Sequence, residues 1–151
     1  MKFRRSLIVF VVSMAALLGA AATNAQVKRP YHDGPVWDIG FIRVKPGMDT
    51  AYMTYLATEW KKQQEAMLKG GVIVSYKVIA SEPHNPGDFT LMLMTEYKDM
   101  ASMEANSDKA DQISQTLQDD KQSMEGYKQR ADIRDVLGNR LSREIILEPK
   151  K

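Results

Sequence analysis

Residues 36–44, with the sequence VWDIGFIRV, have the pattern of a strand in which both faces carry apolar side chains. Because side chains alternate along a strand, one face holds Val36, Asp38, Gly40, Ile42 and Val44. The other face holds Trp37, Ile39, Phe41 and Arg43. The predicted strands at residues 72–80 and 89–97 also place apolar side chains on both faces. An antiparallel sheet with one face in water alternates apolar and polar residues, so this sheet is expected to be covered on both faces.

The predicted elements follow the order strand, helix, strand, strand, helices, strand. The first helix begins at Met48 or Asp49, a later helical stretch runs from about residue 110 to 130, and the last strand covers residues 141–147. Residues 133–139 fit neither class clearly. This order is that of the ferredoxin-like βαββαβ fold, an α+β fold with an antiparallel sheet and helices on one face.

The corner Lys45-Pro46-Gly47 joins the first strand to the first helix. A loop that cradles phosphate needs several converging N–H groups, whereas this corner has one glycine and a proline that donates nothing. Pro46 keeps the residues before it extended, and Gly47 permits a sharp turn. The corner is therefore predicted to be structural, with Val44 facing the helix and Arg43 facing away from it.

Two helices can cover only one face of such a sheet. The other, called here the open face, carries Trp37, Ile39, Phe41 and Arg43. An exposed apolar face of this size would promote aggregation, and a second copy of the same chain is its simplest cover. The sequence therefore predicts a homodimer that pairs two open faces.

The open face is also where the sequence predicts a small-molecule pocket. Apolar side chains surround a few polar ones there, which is typical of ligand sites, although an ion pair within a dimer interface would give the same pattern. The residues expected to line a pocket are Trp37, Phe41, Arg43, Lys77, Met92, Met94 and Glu96. Met92 and Met94 belong to apolar stripes, so packing is favoured over copper binding. The catalytic residues, if any, are unknown from the sequence.

Metal and cofactor chemistry have little support in the sequence. The chain has no cysteine and two histidines, His32 and His84, which form no ligand cluster. It also lacks the Walker loop, the dinucleotide fingerprint, Gly-x-Ser-x-Gly and HExxH. No metal and no cofactor are therefore expected.

The N-terminus has the pattern of a secretory signal peptide. Lys2, Arg4 and Arg5 precede the uncharged run of residues 7–22, and small residues end at Ala25. This run of 16 residues is shorter than the about 20 that span a bilayer. The length favours cleavage after Ala25 over an uncleaved anchor.

Cleavage would remove three basic residues and no acidic one, leaving a net charge of −1. That balance gives no basis for nucleic-acid binding. The predicted organisation is a signal peptide (1–25), an extended tail (26–35), one α+β domain (36–148) and a short tail (149–151). The protein is expected to be periplasmic or secreted, with no integral membrane association after cleavage.

Three stretches, RVKPGMDTAYMTYL, LMLMTEYKDMASMEA and DIRDVLGNRLSREIILEP, resemble dimeric α+β-barrel proteins. The resemblance covers residues 36–148 and includes the antibiotic-biosynthesis-monooxygenase-like and NIPSNAP-like families, in a secreted bacterial branch without assigned activity. It implies a ligand pocket between the open face of the sheet and the helices. Haem-degrading members use an Asn and a His that have no matching arrangement here, so haem is not expected.

Two functions are compatible with these patterns. One is a secreted domain that binds a small apolar ligand or another protein. The alternative is a cofactor-independent monooxygenase or isomerase that acts on a small apolar or aromatic compound. An enzyme would require Arg43, Lys77 or Glu96 to converge on one point.

Overall fold

The computed structural model describes residues 29–118 and 120–149. The predicted signal peptide lies outside the described residues. Four strands form one antiparallel sheet in the order β2-β3-β1-β4. They are β1 (Tyr31–Val44), β2 (Ser75–Ala80), β3 (Leu91–Tyr97) and β4 (Arg134–Leu147). The two central strands, β1 and β3, are not consecutive in the chain, which is compatible with the predicted ferredoxin-like fold.

One long helical segment connects β1 to β2, and three shorter helices connect β3 to β4. The first consists of α1 (Asp49–Tyr55), a π-helical turn (Leu56–Trp60) and α2 (Lys61–Lys69). The others are α3 (Met100–Ala105), α4 (Ser107–Leu117) and α5 (Asp120–Ile133). The single helix predicted over residues 110–130 is thus two helices, because the backbone is extended at Gln118 (φ −150°, ψ 137°). In the parts of the chain that the structure describes, no helix is both long and apolar enough to cross a membrane.

The predicted sharp turn at the Lys45-Pro46-Gly47 corner, between the first strand and the first helix, is confirmed. Gly47 has a φ of 77°, a conformation that glycine adopts without steric cost. Lys45 also closes the end of α5, since its backbone N–H donates to the carbonyl of Ile133 at 3.1 Å. Its Nζ donates to the carbonyl of Ala131 at 2.7 Å. A cation at this position satisfies carbonyls that the helix leaves unpaired.

The predicted strand faces are also confirmed. Ile42 is 2% exposed and packs with Tyr52, Leu56 and Leu91 under the long helical segment. Val44 packs against the same cluster. A second cluster, between α2 and α4, joins Met67, Val72 and Ile73 to Ala110 and Ile113. All helical members of these clusters lie on one side of the sheet, called here the helix face.

Two strands are longer than expected. β1 begins at Tyr31 rather than Val36, and β4 begins at Arg134 rather than Leu141. The extensions pair with each other, since Tyr31 opposes Leu147 and Val44 opposes Arg134. Long-range pairing therefore places residues in strands whose local sequence is polar or contains proline.

Candidate functional site

A cavity of about 460 Å³, called here the sheet–helix cavity, lies between the helix face of the sheet and the helices. Its floor includes Asp38, Gly40, Leu93, Thr95 and Tyr97. Its walls include Trp60, Gln64, Met67, Tyr127 and Arg134. Ligand pockets typically measure about 300–1,000 Å³ and combine apolar walls with a few polar groups. The size and lining of this cavity fall within that class.

Gly40 and the π-helical turn account for much of the cavity's shape. Gly40 lies at the centre of β1 opposite Leu93 and contributes no side chain to the floor. The turn directs Leu56 into the core and leaves Trp60 on the cavity wall, with its ring edge-on to Tyr76 at 5.4 Å. Such turns recur at functional sites.

Asp38 is the acidic group of this cavity. It shares the helix face with Val36 and Ile42, and it remains accessible to solvent. Desolvation by the surrounding protein raises the pKa of its carboxyl above the ordinary value. Desolvation, and secondly the nearby charge of Asp38, raises the pKa of the Tyr97 hydroxyl. The pair offers one hydrogen-bond acceptor of raised basicity and one neutral phenol.

The other polar groups are held by the sheet and the long helical segment. Gln64 is a buried polar residue, 9% exposed, and its Oε1 accepts a hydrogen bond from Thr95 Oγ1 at 3.3 Å. Arg134 lies over the ring of Tyr52, with its guanidinium carbon 5.5 Å from the ring centre. Burial raises the pKa of Tyr52 to about 12, and the charge of Arg134 opposes that rise. Asp38 and Arg134 thus give the cavity one side chain of each charge.

The seven residues predicted to line a pocket lie together on the open face. Cross-strand register places Trp37 opposite Glu96 and Phe41 opposite Met92. Lys77 opposes Met94 across β2 and β3. The set is therefore contiguous, but it lies on the opposite side of the sheet from the sheet–helix cavity, which none of the seven lines.

The polar members of this set are engaged separately. Arg43 forms an ion pair with Asp135 at 2.9 Å and also donates to the carbonyl of Pro86 at 3.2 Å. The Nζ of Lys77 lies 4.1 Å from the centre of the Trp37 ring.

Glu96 accepts a hydrogen bond from the Ser75 hydroxyl. Each of the three groups that an enzyme on this face would need to converge thus contacts a different neighbour.

Sequence reasoning missed the polar residues of the cavity. Asp38 carried a usable signal, because a carboxylate between Val36 and Ile42 interrupts an otherwise buried face. Gln64 and Arg134 could not have been recognised from the sequence, since polar residues are common on helices and at the ends of strands. Within the described ranges 29–118 and 120–149, no group of three or more His, Asp or Glu side chains is placed to hold a metal ion.

Neither a family model nor a curated protein matches the chain. Among solved structures, a NIPSNAP family protein of unknown function from Agrobacterium tumefaciens is similar to it. The two are 18% identical, the match covers 78% of this chain and 95% of that chain, and the TM-score is 0.49.

Proposed function

We propose that this domain binds a small, largely apolar molecule with a hydrogen-bond donor in the sheet–helix cavity. The observation that supports the proposal is the volume of about 460 Å³ beside Asp38, a carboxylate of raised pKa. An apolar ring would contact Trp60 and Leu93, and its donor would face Asp38. Ligand sites of this kind take their specificity from one or two polar groups in an apolar setting.

Gly40 provides a direct test of cavity occupancy. Its φ is not positive, so a larger residue causes no backbone strain, and an added Cβ would lie 3.3 Å from the flexible side-chain end of Asn139. Gly40→Val is expected to fill part of the cavity and weaken binding about tenfold, a free-energy change of about 1.4 kcal/mol. Gly40→Ala, which adds a single methyl group, is the matched control and should retain most of the affinity.

The probes for this test are 1-naphthol, which donates a hydrogen bond, and naphthalene, which does not. The chain has two tryptophans, Trp60 in the cavity and Trp37 on the open face, and NMR detects both indole N–H groups. We expect 1-naphthol to shift the Trp60 signal and to bind more tightly than naphthalene. A shift of the Trp37 signal alone would instead support a pocket on the open face and overturn this proposal.

The alternative, a cofactor-independent monooxygenase or isomerase, is favoured by one observation. A carboxylate of raised pKa in a cavity has the properties of a general base, and Asp38 meets that description. The two functions differ in the fate of the bound molecule. Mass spectrometry after incubation in air would show an unchanged compound for a binding protein and an altered one for an enzyme.

We propose that the domain forms a homodimer through its open face. The helices pack on the other side of the sheet, and the open face carries apolar side chains such as Ile39 and Met94, next to Ile79 of β2, which is 38% exposed. The ribbon made by the ends of β1 and β4 extends past β3, which stops at the register of Val36. An exposed apolar face of this kind is typical of a surface that another chain covers.

We also propose that the protein is exported and cleaved after Ala25. The charged start, the uncharged run and the small residues before Gln26 support this proposal. N-terminal sequencing of the protein recovered from the extracytoplasmic fraction is expected to begin at Gln26. A sequence beginning at Met1 in the membrane fraction would indicate an uncleaved anchor instead.

A further inference from the structure

A second cavity, of about 210 Å³ and called here the helix–helix cavity, lies between the long helical segment and helices α4 and α5. Tyr55 and Lys62 line it from one side, and Ser114, Gln118 and Arg130 line it from the other. We propose that this cavity binds a small oxyanion, either a carboxylate with a short apolar chain or a phosphate. The site is separate from the cavity of the proposed function, so each can fail without the other.

Arg130 is the central observation. Its Nε is buried and has no hydrogen-bond partner among the residues that the structure describes. Its guanidinium carbon lies 5.0 Å from the centre of the Tyr55 ring. Gly126, one turn earlier, leaves room for it, since a Cβ there would lie 2.9 Å from Nη1. A buried donor without an acceptor is costly, and the guanidinium fork matches carboxylate and phosphate oxygens.

The charges of the lining favour an anion. Lys62 forms no ion pair within the described chain, so its charge is available together with that of Arg130. The acidic side chain of the lining is Glu59, and one of its oxygens already accepts a hydrogen bond from Gln118 Nε2 at 3.2 Å. Among the lining residues that the structure describes, two cations against one carboxylate leave an excess of one positive charge.

The size of the cavity limits the ligand. A volume of about 210 Å³ holds more than a few waters but lies below the usual range for drug-sized molecules. Leu117 and the ring of Tyr55 provide apolar contacts next to the charged groups. Butyrate, with one carboxylate and a short chain, and inorganic phosphate both meet these limits.

The test is an NMR titration of the purified protein with sodium butyrate, sodium phosphate or sodium chloride at one ionic strength. The Nε–H of Arg130 gives its own signal, and we expect butyrate or phosphate to shift it in a saturable manner while chloride does not. A response to butyrate alone identifies a carboxylate site, and a response to phosphate alone identifies a phosphate site. Equal, unsaturated shifts with all three salts would overturn the proposal.

Variants on α5 distinguish specific binding at Arg130 from general attraction of anions to a positively charged helix. Arg130→Gln is expected to weaken binding about tenfold or more, because it removes a charged hydrogen-bond donor. Lys128→Gln makes the same charge change at an exposed position of the same helix and should leave binding unchanged. Equal losses in the two variants would contradict the site. Arg130→Lys, with thermal unfolding measured in parallel, keeps the test valid if Arg130→Gln does not fold.

Discussion

Ile39→Lys is expected to convert the protein from a dimer to a folded monomer. Ile39 is half-buried at the centre of the open face, and its register partners are Met94 on β3 and Arg140 on β4. Neither partner can neutralise a new lysine. In the paired sheets of a dimer, the added charge would be desolvated without a counter-ion, which costs several kcal/mol. Light scattering at micromolar concentration should show the molecular mass fall by half.

Met53→Lys is the matched control for this change. Met53 is 49% exposed on α1 and belongs to the helical layer rather than to the open face. The Met53→Lys variant should remain a dimer, with an unchanged far-ultraviolet circular dichroism spectrum. If the unmodified protein is already a monomer, or if Ile39→Lys is still a dimer, the open face does not form the interface.

The geometry of the sheet supports an interface of sufficient size. Seven paired residues at about 3.4 Å each, across four strands about 4.8 Å apart, cover roughly 24 by 19 Å. That area, doubled for two partners, is about 900 Å² before the protruding side chains are included, close to the roughly 1,000 Å² that a specific interface should exceed. Ile146, which lies on the same face of β4 as Ser142 and is 38% exposed, provides additional apolar surface.

The local sequence was sufficient to predict which residues of β1 face the helices, because the Lys45-Pro46-Gly47 corner fixes that assignment. Pro46 and Gly47 place the start of the helix next to Val44, and from that point alternation assigns every residue of β1 to a face. The first half of β4 could not be predicted in the same way. Arg134, Asp135 and Asn139 are polar, and they lie in a strand because β1 offers unpaired backbone groups beside them.

The sheet–helix cavity depends on contacts that no local pattern encodes. The pattern identified the open face as apolar with sparse polar groups, and a ligand site was expected there. The cavity forms on the opposite face, where Tyr127 of α5 and Arg134 at the start of β4 line it together with Gly40, which has no side chain to fill the space. Asp38 alone could have indicated this face, since a carboxylate among buried neighbours needs water or a partner.

Leu56→Ala is expected to lower the free energy of unfolding by about 2–5 kcal/mol. Leu56 is 3% exposed and packs with Ile42, Tyr52 and Leu91 where the long helical segment crosses the sheet. Truncation removes buried methyl groups and leaves a cavity that rigid strands cannot close. Leu56 lies in the π-helical turn that also positions Trp60. The substitution should therefore also change the fluorescence of that tryptophan.

Leu68→Ala makes the same chemical change on the same helical segment, at a position that is 42% exposed. It should change the unfolding free energy by less than about 1 kcal/mol, since surface substitutions have small effects and alanine favours helix. Urea unfolding of both variants at one protein concentration provides the comparison, because association adds to apparent stability. Equal costs at the two positions would show that the helical segment is not anchored through Leu56. The helix wall of the sheet–helix cavity would then need a different support.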